Sequence, residues 1–416
     1  MDGISAVVDG GGTTRLFQVR GGELHLGNIQ LSNGYADVGG AVDLINGTLS
    51  WRGQVSFSDN TADIGGAIGC FHCTLNGVGE AVFINNTATE NAGAIWIEGG
   101  NISADGRTSF FANTAGHAGG ALFATYMANV EFAGTTTATG NSAEYGGAFA
   151  IGSEGGGIGN YVSMNLKGNA IFEGNVAIKN GGAVVIYENS VVRAGASSTR
   201  TGRFSFASNV AGEFGSAVGC YYSTLIVTGE AEFSNNTAGE DAGALRVKGG
   251  TYVAVGSTTL SHNTAAGGGG AVLITNAAEV NITGTLNASD NSAQYGGAFM
   301  ISWRTHGGEA IVTWQGITTF ERNMAAEDGG ALWIGDASYG SWNGSINFSD
   351  NRATGNGGAV AIGGDSVLYT HIGSHGGFFR NVASRSGGAV HSMGNGEGQN
   401  YAGLIFEANH GEAGGE

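Results

Sequence analysis

The sequence predicts an all-β protein, a right-handed single-stranded parallel β-helix of about 14 coils. First, a motif of an aromatic residue, an asparagine three residues later and a paired glycine recurs every 26–34 residues. Second, glycine makes up 80 of the 416 residues, which is unfavourable for helices. The chain has no proline, which is consistent with strands whose every N–H donates to a neighbouring strand. Third, no apolar pattern of period 3.6 persists for three turns, so a helical solenoid is excluded.

The repeated motif supplies the strands and corners of each coil. One copy runs from Phe57 to Asn60 and on into Gly65-Gly66-Ala67, and a weaker early copy reads Leu31-Ser32-Asn33-Gly34. Stretches such as 182–187 alternate and are rich in β-branched residues, which is typical of short strands. Stacked coils would pair each strand with its neighbours at about 4.8 Å.

The motif residues are expected to form structural ladders and to have no catalytic role. We expect each phenylalanine to point inward and stack on the next, and each asparagine to bond the amide of the next coil at a turn. The paired glycines allow positive φ at a tight corner. The expected ladder consists of Phe57, Asn60, Phe83, Asn86, Phe110, Asn113, Asn141, Phe172, Asn175, Phe206, Asn209, Phe233, Asn236, Asn263, Asn291, Phe320, Asn323, Phe348, Asn351, Phe378, Asn381, Phe406 and Asn409.

A longer repeat of five motifs is superimposed on the short one. Cys220 follows Cys70 by 150 residues, and Phe299 follows Phe149 by the same offset. The sequence predicts one continuous β-helix over 1–416, with internal blocks at about 57–206, 206–348 and 348–416. Neither end resembles a solenoid cap, so a piece of a longer chain is expected.

The formal charge of −18 disfavours a nucleic-acid partner, because phosphate backbones need basic surfaces. Part of the acidic excess lies just before the paired glycines, where stacked carboxylates would repel each other and calcium could relieve the repulsion. These residues are Asp63, Glu90, Glu144, Glu213, Glu240, Glu327 and Glu412. No cofactor is otherwise expected.

The three cysteines are expected to be partly buried thiols. Cys70 and Cys73 would lie roughly 10 Å apart on a straight strand, and a disulfide would require a turn between them because it needs Cα atoms within about 7 Å. His72 could complete at most three zinc ligands with them, in a spacing unlike that of zinc fingers.

Sites for chemistry are not evident. The nine histidines are scattered, without a repeated Ser/His/Asp arrangement, and the paired carboxylates of sugar hydrolases are not recognisable. Three long coils bulge at 150–165, 188–203 and 300–314, and loops on a rigid scaffold often carry recognition. A binding site for carbohydrate or protein is therefore expected around Trp303, Arg304, His306 and Trp314.

The combination of Phe-x-x-Asn with Gly-Gly-Ala-Ile/Leu/Val resembles the passengers of chlamydial polymorphic outer membrane proteins, which are secreted autotransporter adhesins. The resemblance implies a pectin-lyase-like solenoid and an extracellular or cell-surface location, without a membrane span in this chain. A non-enzymatic rigid scaffold and adhesion surface is the function it implies. Two alternatives stay open: a polysaccharide lyase or hydrolase of the β-helix class, and ice binding by threonine rows at 135–137, 258–259 and 318–319.

Overall fold

The computed structural model describes residues 3–153, 161–195, 202–302, 308–399 and 403–412. Within these ranges the chain consists of β-strands and turns, without a helix. It divides into two compact units, Met1–Ala211 and Gly212–Glu416. In each unit the strands form three parallel sheets, so the fold is a parallel β-solenoid and the predicted fold class is confirmed.

One coil illustrates how the sequence builds all of them. Strand Thr48–Ser58 lies in the sheet that we call sheet 1, strand Thr61–Ile64 in sheet 2 and strand Ile68–Phe71 in sheet 3. A corner separates each strand from the next, and the following coil begins at Thr74. The short strand of sheet 2 usually reads Thr-Ala or Val-Ala, and most strands of sheet 3 follow Gly-Gly-Ala.

The first unit has seven strands in each of sheets 2 and 3 within its described residues. Its sheet 1 strands are Ala6–Asp9, Glu23–Ser32, Thr48–Ser58, Thr74–Ile84, Asn101–Asp105, Thr108–Phe111, Asn129–Phe132, Thr136–Thr139, Ser163–Leu166, Ala170–Glu173, Val191–Gly195 and Arg203–Ala207. Its sheet 2 strands are Tyr35–Val38, Thr61–Ile64, Thr87–Asn91, Thr114–Ala115, Ser142–Ala143, Val176–Ala177 and Val210–Ala211. Its sheet 3 strands are Phe17–Arg20, Val42–Ile45, Ile68–Phe71, Ile95–Glu98, Leu122–Thr125, Phe149–Ile151 and Val184–Tyr187.

The second unit repeats this plan, again with seven strands in each of sheets 2 and 3 among the residues described. Its sheet 1 strands are Thr224–Ser234, Thr251–Ser261, Glu279–Ser289, Ile311–Glu321, Tyr339–Ser349, Val367–Thr370, His375–Phe379, Glu397–Gln399 and Leu404–Glu407. Its sheet 2 strands are Thr237–Ala238, Thr264–Ala265, Ser292–Ala293, Met324–Ala325, Arg352–Ala353, Val382–Ala383 and His410–Gly411. Its sheet 3 strands are Val218–Tyr221, Leu245–Lys248, Val272–Thr275, Phe299–Ile301, Leu332–Ile334, Val360–Ile362 and Val390–Ser392.

The corners explain the special residues of the motif. The residue before each ladder asparagine has positive φ even where it carries a side chain, as at Asp59 with φ 56° and Arg322 with φ 53°. Gly65 has φ 64°, and a Cβ on Gly66 would collide with the carbonyl of Gly93 in the next coil. The first glycine therefore supplies the conformation and the second allows the close approach of two backbones.

Aromatic rings stack inside the solenoid at the spacing of the coils. The rings of Phe57 and Phe83 are 4.8 Å apart and 3° from parallel, and those of Phe348 and Phe378 are 4.9 Å apart and 1° from parallel. This separation matches the distance between hydrogen-bonded strands, because parallel in-register pairing puts Phe57 directly beside Phe83. The stack is therefore a direct consequence of the register.

The ring stack is interrupted at Ala138, and an aromatic residue on the opposite wall fills the space. Ala138 pairs in register with Phe110 on one side and Phe172 on the other. The ring of Phe149, from sheet 3, packs edge-on against both neighbours, with centroid distances of 5.4 Å and 5.1 Å. The second unit repeats the exchange with Ala288 and Phe299. Small and large residues thus alternate between facing walls to keep the core filled.

Candidate functional site

Of the four residues expected to form a binding site, the structure describes only Trp314, which is buried. Trp303, Arg304 and His306 lie outside the described residues. Trp314 is only 1% exposed. It lies in strand Ile311–Glu321 of sheet 1, where alternate residues point inward, and its ring is 5.4 Å from that of Trp342. Trp314 is therefore a core residue and does not belong to an exposed recognition surface, contrary to the expectation above.

The ladder asparagines from Asn60 to Asn381 are fully buried, and their amides are saturated with hydrogen bonds, as Asn86 illustrates. Asn86 Nδ2 donates to Asn113 Oδ1 at 2.9 Å and to the Phe57 carbonyl at 3.0 Å, and the backbone N–H of Asn86 donates to the same Asn113 oxygen at 3.1 Å. Asn86 Oδ1 in turn accepts from the side chain and backbone of Asn60. An amide with all its donors and acceptors occupied inside the protein stabilises the corner and has no group left for a ligand.

The early, weaker copy of the motif shows the limit of the ladder. Asn33 occupies the positive-φ corner position, with φ 53°, and the ladder position itself falls on Gly34. The Gly34 N–H donates to Asn60 Oδ1 at 2.8 Å. A glycine at this position can donate its backbone N–H but cannot continue the chain of amides.

Cys70 and Cys73 form a disulfide, with Cα atoms 5.4 Å apart, so the expectation of two thiols was wrong. The strand of sheet 3 ends at Phe71, and His72 has φ 49°. This corner brings the cysteines within the distance that a bridge needs. Cys220 is a buried free cysteine, and burial raises the pKa of its thiol to about 11.

The carboxylates before the paired glycines do not share one environment. Asp63 accepts a hydrogen bond from Thr89 Oγ1 at 2.7 Å, whereas Glu144 forms an ion pair with Lys179. Among the described residues, no group of three or more histidine, cysteine, aspartate or glutamate side chains is placed to hold a metal ion. The stacked acidic cluster that motivated the calcium hypothesis is thus replaced, at these two positions, by pairs with polar or cationic partners.

The first unit contains a groove of about 270 Å³ on the outer side of sheet 3. Its lining combines three aromatic rings with polar groups. The residues that line it are Asn91, His117, Ala118, Phe123, Tyr145, Gly152, Ser153 and Tyr187. Consecutive coils supply this wall because the strands are in register, so that Phe123 pairs with Ala150 and Ala118 bridges to Tyr145.

Charged side chains at the rim of the groove are paired with one another. Glu144 Oε1 is 2.7 Å from Lys179 Nζ, and Glu144 Oε2 is 3.2 Å from His117 Nδ1. Lys179 also donates to the Tyr145 hydroxyl at 2.9 Å. The hydrogen bond from Lys179 lowers the pKa of Glu144, and the bond to Glu144 raises the pKa of Lys179. Both groups therefore keep their charges at neutral pH and orient the Tyr145 ring.

The second unit shows why the groove is open in the first. At the positions of Ala118 and Ala150, it has Gly268 and Met300. The Met300 sulfur lies where a Cβ on residue 268 would be, and Met300 packs with Leu273 and the partly buried Tyr295 and Trp333. The second unit thus fills this place with the Met300 side chain, whereas the first unit has Ala118, which lines the groove, and Ala150, which is fully buried.

Sequence reasoning did not identify the groove. Glu144 was noted only as a corner carboxylate, and Phe123, Tyr145 and Lys179 were not singled out. The available signal was the change from Ala150 to Met300 between two blocks that otherwise match closely around Phe149 and Phe299.

Comparisons with known proteins support the resemblance inferred from the motif. Residues 80–98 and 345–363 match the family model of the Chlamydia polymorphic membrane protein (Chlamydia_PMP) repeat. Each segment contains a ladder phenylalanine, Phe83 or Phe348, the asparagine that follows it and the next strand of sheet 3. Searches of curated proteins and of solved structures found no match.

The described residues include no helix with the length and apolar character needed to cross a membrane. The repeat matches and the parallel solenoid together fit a surface-exposed β-helix. The chain is therefore similar to the polymorphic membrane proteins of Chlamydia in the repeat from which its coils are built.

Proposed function

We propose that this chain is a non-enzymatic β-helix at the cell surface or outside the cell, which serves as a rigid scaffold and presents a contact surface for carbohydrate or protein. The single observation that carries the proposal is the groove of the first unit. It is a concave site with aromatic and polar walls, in which Phe123 and Tyr187 lie in strands of sheet 3 and the corner residues Ala118 and Tyr145 are bridged to each other. Concave sites of this composition are where small ligands and partner side chains usually bind.

Rigidity of the scaffold follows from its hydrogen bonds. The strands around the groove pair on both sides, and buried amides tie each coil to the next, as in the bonds from Asn113 to Asn141 and from Asn141 to Asn175. Opening the wall would leave these buried polar groups without partners, at about 1–3 kcal/mol each. A ligand would therefore meet a preformed surface and would not have to order it.

The groove favours binding over hydrolysis. Glycosidases need two carboxyl groups, with one free to act as acid and the other as base or nucleophile. The residues that line the groove include no carboxylate, and Glu144 at its rim is held by Lys179 and His117. This arrangement supports recognition without cleavage.

The experiment has two arms. Antibodies against the folded chain should label intact, unpermeabilised cells that produce it. The purified chain, applied to arrays of immobilised glycans and of cell-surface proteins, should show saturable binding that heat-denatured chain lacks. Labelling only after permeabilisation would contradict the location, and binding no stronger than that of denatured chain would contradict the contact function.

A further inference from the structure

We propose that the groove of the first unit binds one ring of a neutral sugar; this rests on the proposed function and names the ligand class of its contact surface. The volume of about 270 Å³ lies just below the range of about 300–1,000 Å³ typical of pockets for drug-sized ligands. The space is therefore suited to a small compact ligand such as a single pyranose ring, with the rest of a glycan extending into solvent.

The walls match the two chemical faces of a sugar ring. A pyranose has an apolar face of C–H groups and an edge of hydroxyls. The partly buried rings of Phe123 and Tyr145 line the groove, and Tyr187 closes its buried side. Aromatic rings present flat apolar area at a low entropic cost, so an apolar sugar face can pack on them.

Polar groups for the hydroxyl edge lie on the same wall. His117 is exposed and Asn91 is half-buried, and both line the groove. Asn91 Oδ1 has no hydrogen-bond partner among the described residues. Its counterpart in the second unit, Asp241, uses its carboxylate to accept a hydrogen bond from the Gly268 N–H at 2.6 Å. Asn91 Oδ1 is itself buried, so among these wall groups the exposed imidazole of His117 is the polar group that a ligand can reach directly.

Electrostatics select a neutral sugar over an acidic one. Lys179, the cation beside the groove, is already bound to Glu144 and to the Tyr145 hydroxyl. A uronate or sulfate would have to compete with Glu144 for it, against a chain whose formal charge is −18. Desolvating a carboxylate without a cationic partner is unfavourable, whereas hydroxyls can use the imidazole as it stands.

The second unit supplies substitutions that close the groove. In the second unit the Met300 side chain lies where a Cβ on residue 268 would be, beside Leu273. The double variant A118G/A150M removes the Ala118 methyl group from the lining and introduces the longer side chain next to Phe123, with which residue 150 is paired. F123L introduces the residue found at 273 and removes one ring from the wall.

The experiment titrates the complete chain with the methyl glycosides of galactose, glucose, N-acetylglucosamine and galacturonic acid, the last with its carboxylate free, by saturation-transfer NMR and calorimetry. At least one neutral glycoside should bind in the millimolar range expected of a single-ring site, and at least ten-fold more tightly than galacturonate. A118G/A150M should weaken it at least ten-fold and F123L several-fold. V78T, on an exposed position of strand Thr74–Ile84, should leave it unchanged. Circular dichroism and melting curves verify that each variant is folded.

Three results would overturn the inference: no binding of any neutral glycoside by the folded chain, preference for galacturonate, or undiminished affinity in folded A118G/A150M. Cell-surface labelling and array binding to proteins without any sugar binding would remove this inference and leave the proposed function intact. Sugar binding by a chain that is never found on the cell surface would contradict the proposed location and leave the sugar-binding inference intact.

Discussion

The Cys220 sulfur lies 3.1 Å from the hydroxyl oxygen of Ser223, at the same corner where Cys70 and Cys73 are bridged 150 residues earlier. The two corners have the same backbone form, since Tyr222 has φ 50° and His72 has φ 49°. The serine therefore takes the place of the second cysteine, and the second unit keeps one half of a disulfide as a buried thiol.

We expect S223C to form a disulfide with Cys220, because the corner already has the geometry that permits one in the first unit. The variant should be refolded in a glutathione redox buffer, since the raised pKa of the Cys220 thiol, about 11, slows oxidation of the native protein. Thiol titration in denaturant should find one free thiol in the parent chain and none in S223C. S223A is the control and should keep its thiol; two titratable thiols in folded S223C would contradict the expectation.

The buried amide ladder and the surface ion pair can be compared at adjacent residues. Asn323 Oδ1 accepts from the side chain and backbone of Asn291, and its Nδ2 donates to Asn351. N323A leaves several buried polar groups unpaired, at about 1–3 kcal/mol each, so a loss above about 3 kcal/mol is expected.

R322A removes exposed ion pairs only: the guanidinium of Arg322 donates two 2.9 Å hydrogen bonds to Asp290 and also pairs with Glu321. Exposed pairs contribute less than about 1 kcal/mol. Urea unfolding followed by far-ultraviolet circular dichroism measures both variants. Equal shifts of the two midpoints would show that the amide ladder contributes no more than the surface charge.

Ala138 and Phe149 share one space in the core, so substitutions at the two positions should have non-additive effects on the free energy of unfolding. F149A should cost about 3–5 kcal/mol, because it leaves a cavity between Phe110 and Phe172. A138F alone should also destabilise the chain, because the space beside it is occupied by the Phe149 ring. The double variant A138F/F149A completes the stack with a phenylalanine on the ladder wall and should recover part of both losses.

A double-mutant cycle on unfolding free energies measures this coupling. Residues in contact commonly couple by about 0.5–3 kcal/mol. Additive losses would mean that the two positions do not share one space. The corresponding pair Ala288 and Phe299 in the second unit offers a replicate of the measurement.

The corner ion pairs predict a loss of stability in acid. Hydrogen bonds from Arg322 lower the pKa of Asp290, and those from Arg380 lower the pKa of Asp350, below their ordinary value of 3.8. The unfolded chain therefore binds more protons than the folded chain in this range. Their contribution is complete above the ordinary pKa and is lost as the pH falls through the lowered one.

Unfolding free energies measured from neutral pH down to about pH 3 should show this decline. The double variant D290N/D350N should start slightly lower at neutral pH and decline less steeply in acid. Parallel curves for the parent and the variant would show that other groups govern the acid response.

The repeated coil could be predicted from the sequence, whereas the position of a side chain next to an irregular part of a coil could not. The period of Phe57, Asn60 and the paired glycines was sufficient for the coil, because each residue has one place in a repeated rung. Trp314 was assigned to a loop, although it lies six residues before Phe320 in one strand; an even spacing puts both on the same face. That assignment failed because the start of the strand after a long coil is not marked in the sequence.

Neither the disulfide nor the groove could be predicted from the sequence, and the reasons differ. A three-residue separation excludes a bridge on a straight strand. Histidine adopts the left-handed conformation more often than most residues, but this preference is too weak to predict the corner that the structure has at His72. The groove lies where the first unit has Ala118 and Ala150 and the second has Gly268 and Met300, a difference that has no meaning until the fold places these positions beside each other. Residues that recur in every coil are easier to recognise in a sequence than a single position at which one coil differs from its counterpart.

The in-register pairing of strands also constrains how such a chain can change its length. Thr264 pairs with Ser292, and Asn263 bonds to Asn291. Deletion of one complete coil would therefore join equivalent positions of two coils and keep both the strand pairing and the asparagine ladder. Loss of a single residue within Glu279–Ser289 would instead send its inward side chains to the solvent. Viable genetic gains and losses in this protein should therefore come in whole-turn steps, and the 150-residue offset between Cys70 and Cys220 corresponds to five such turns.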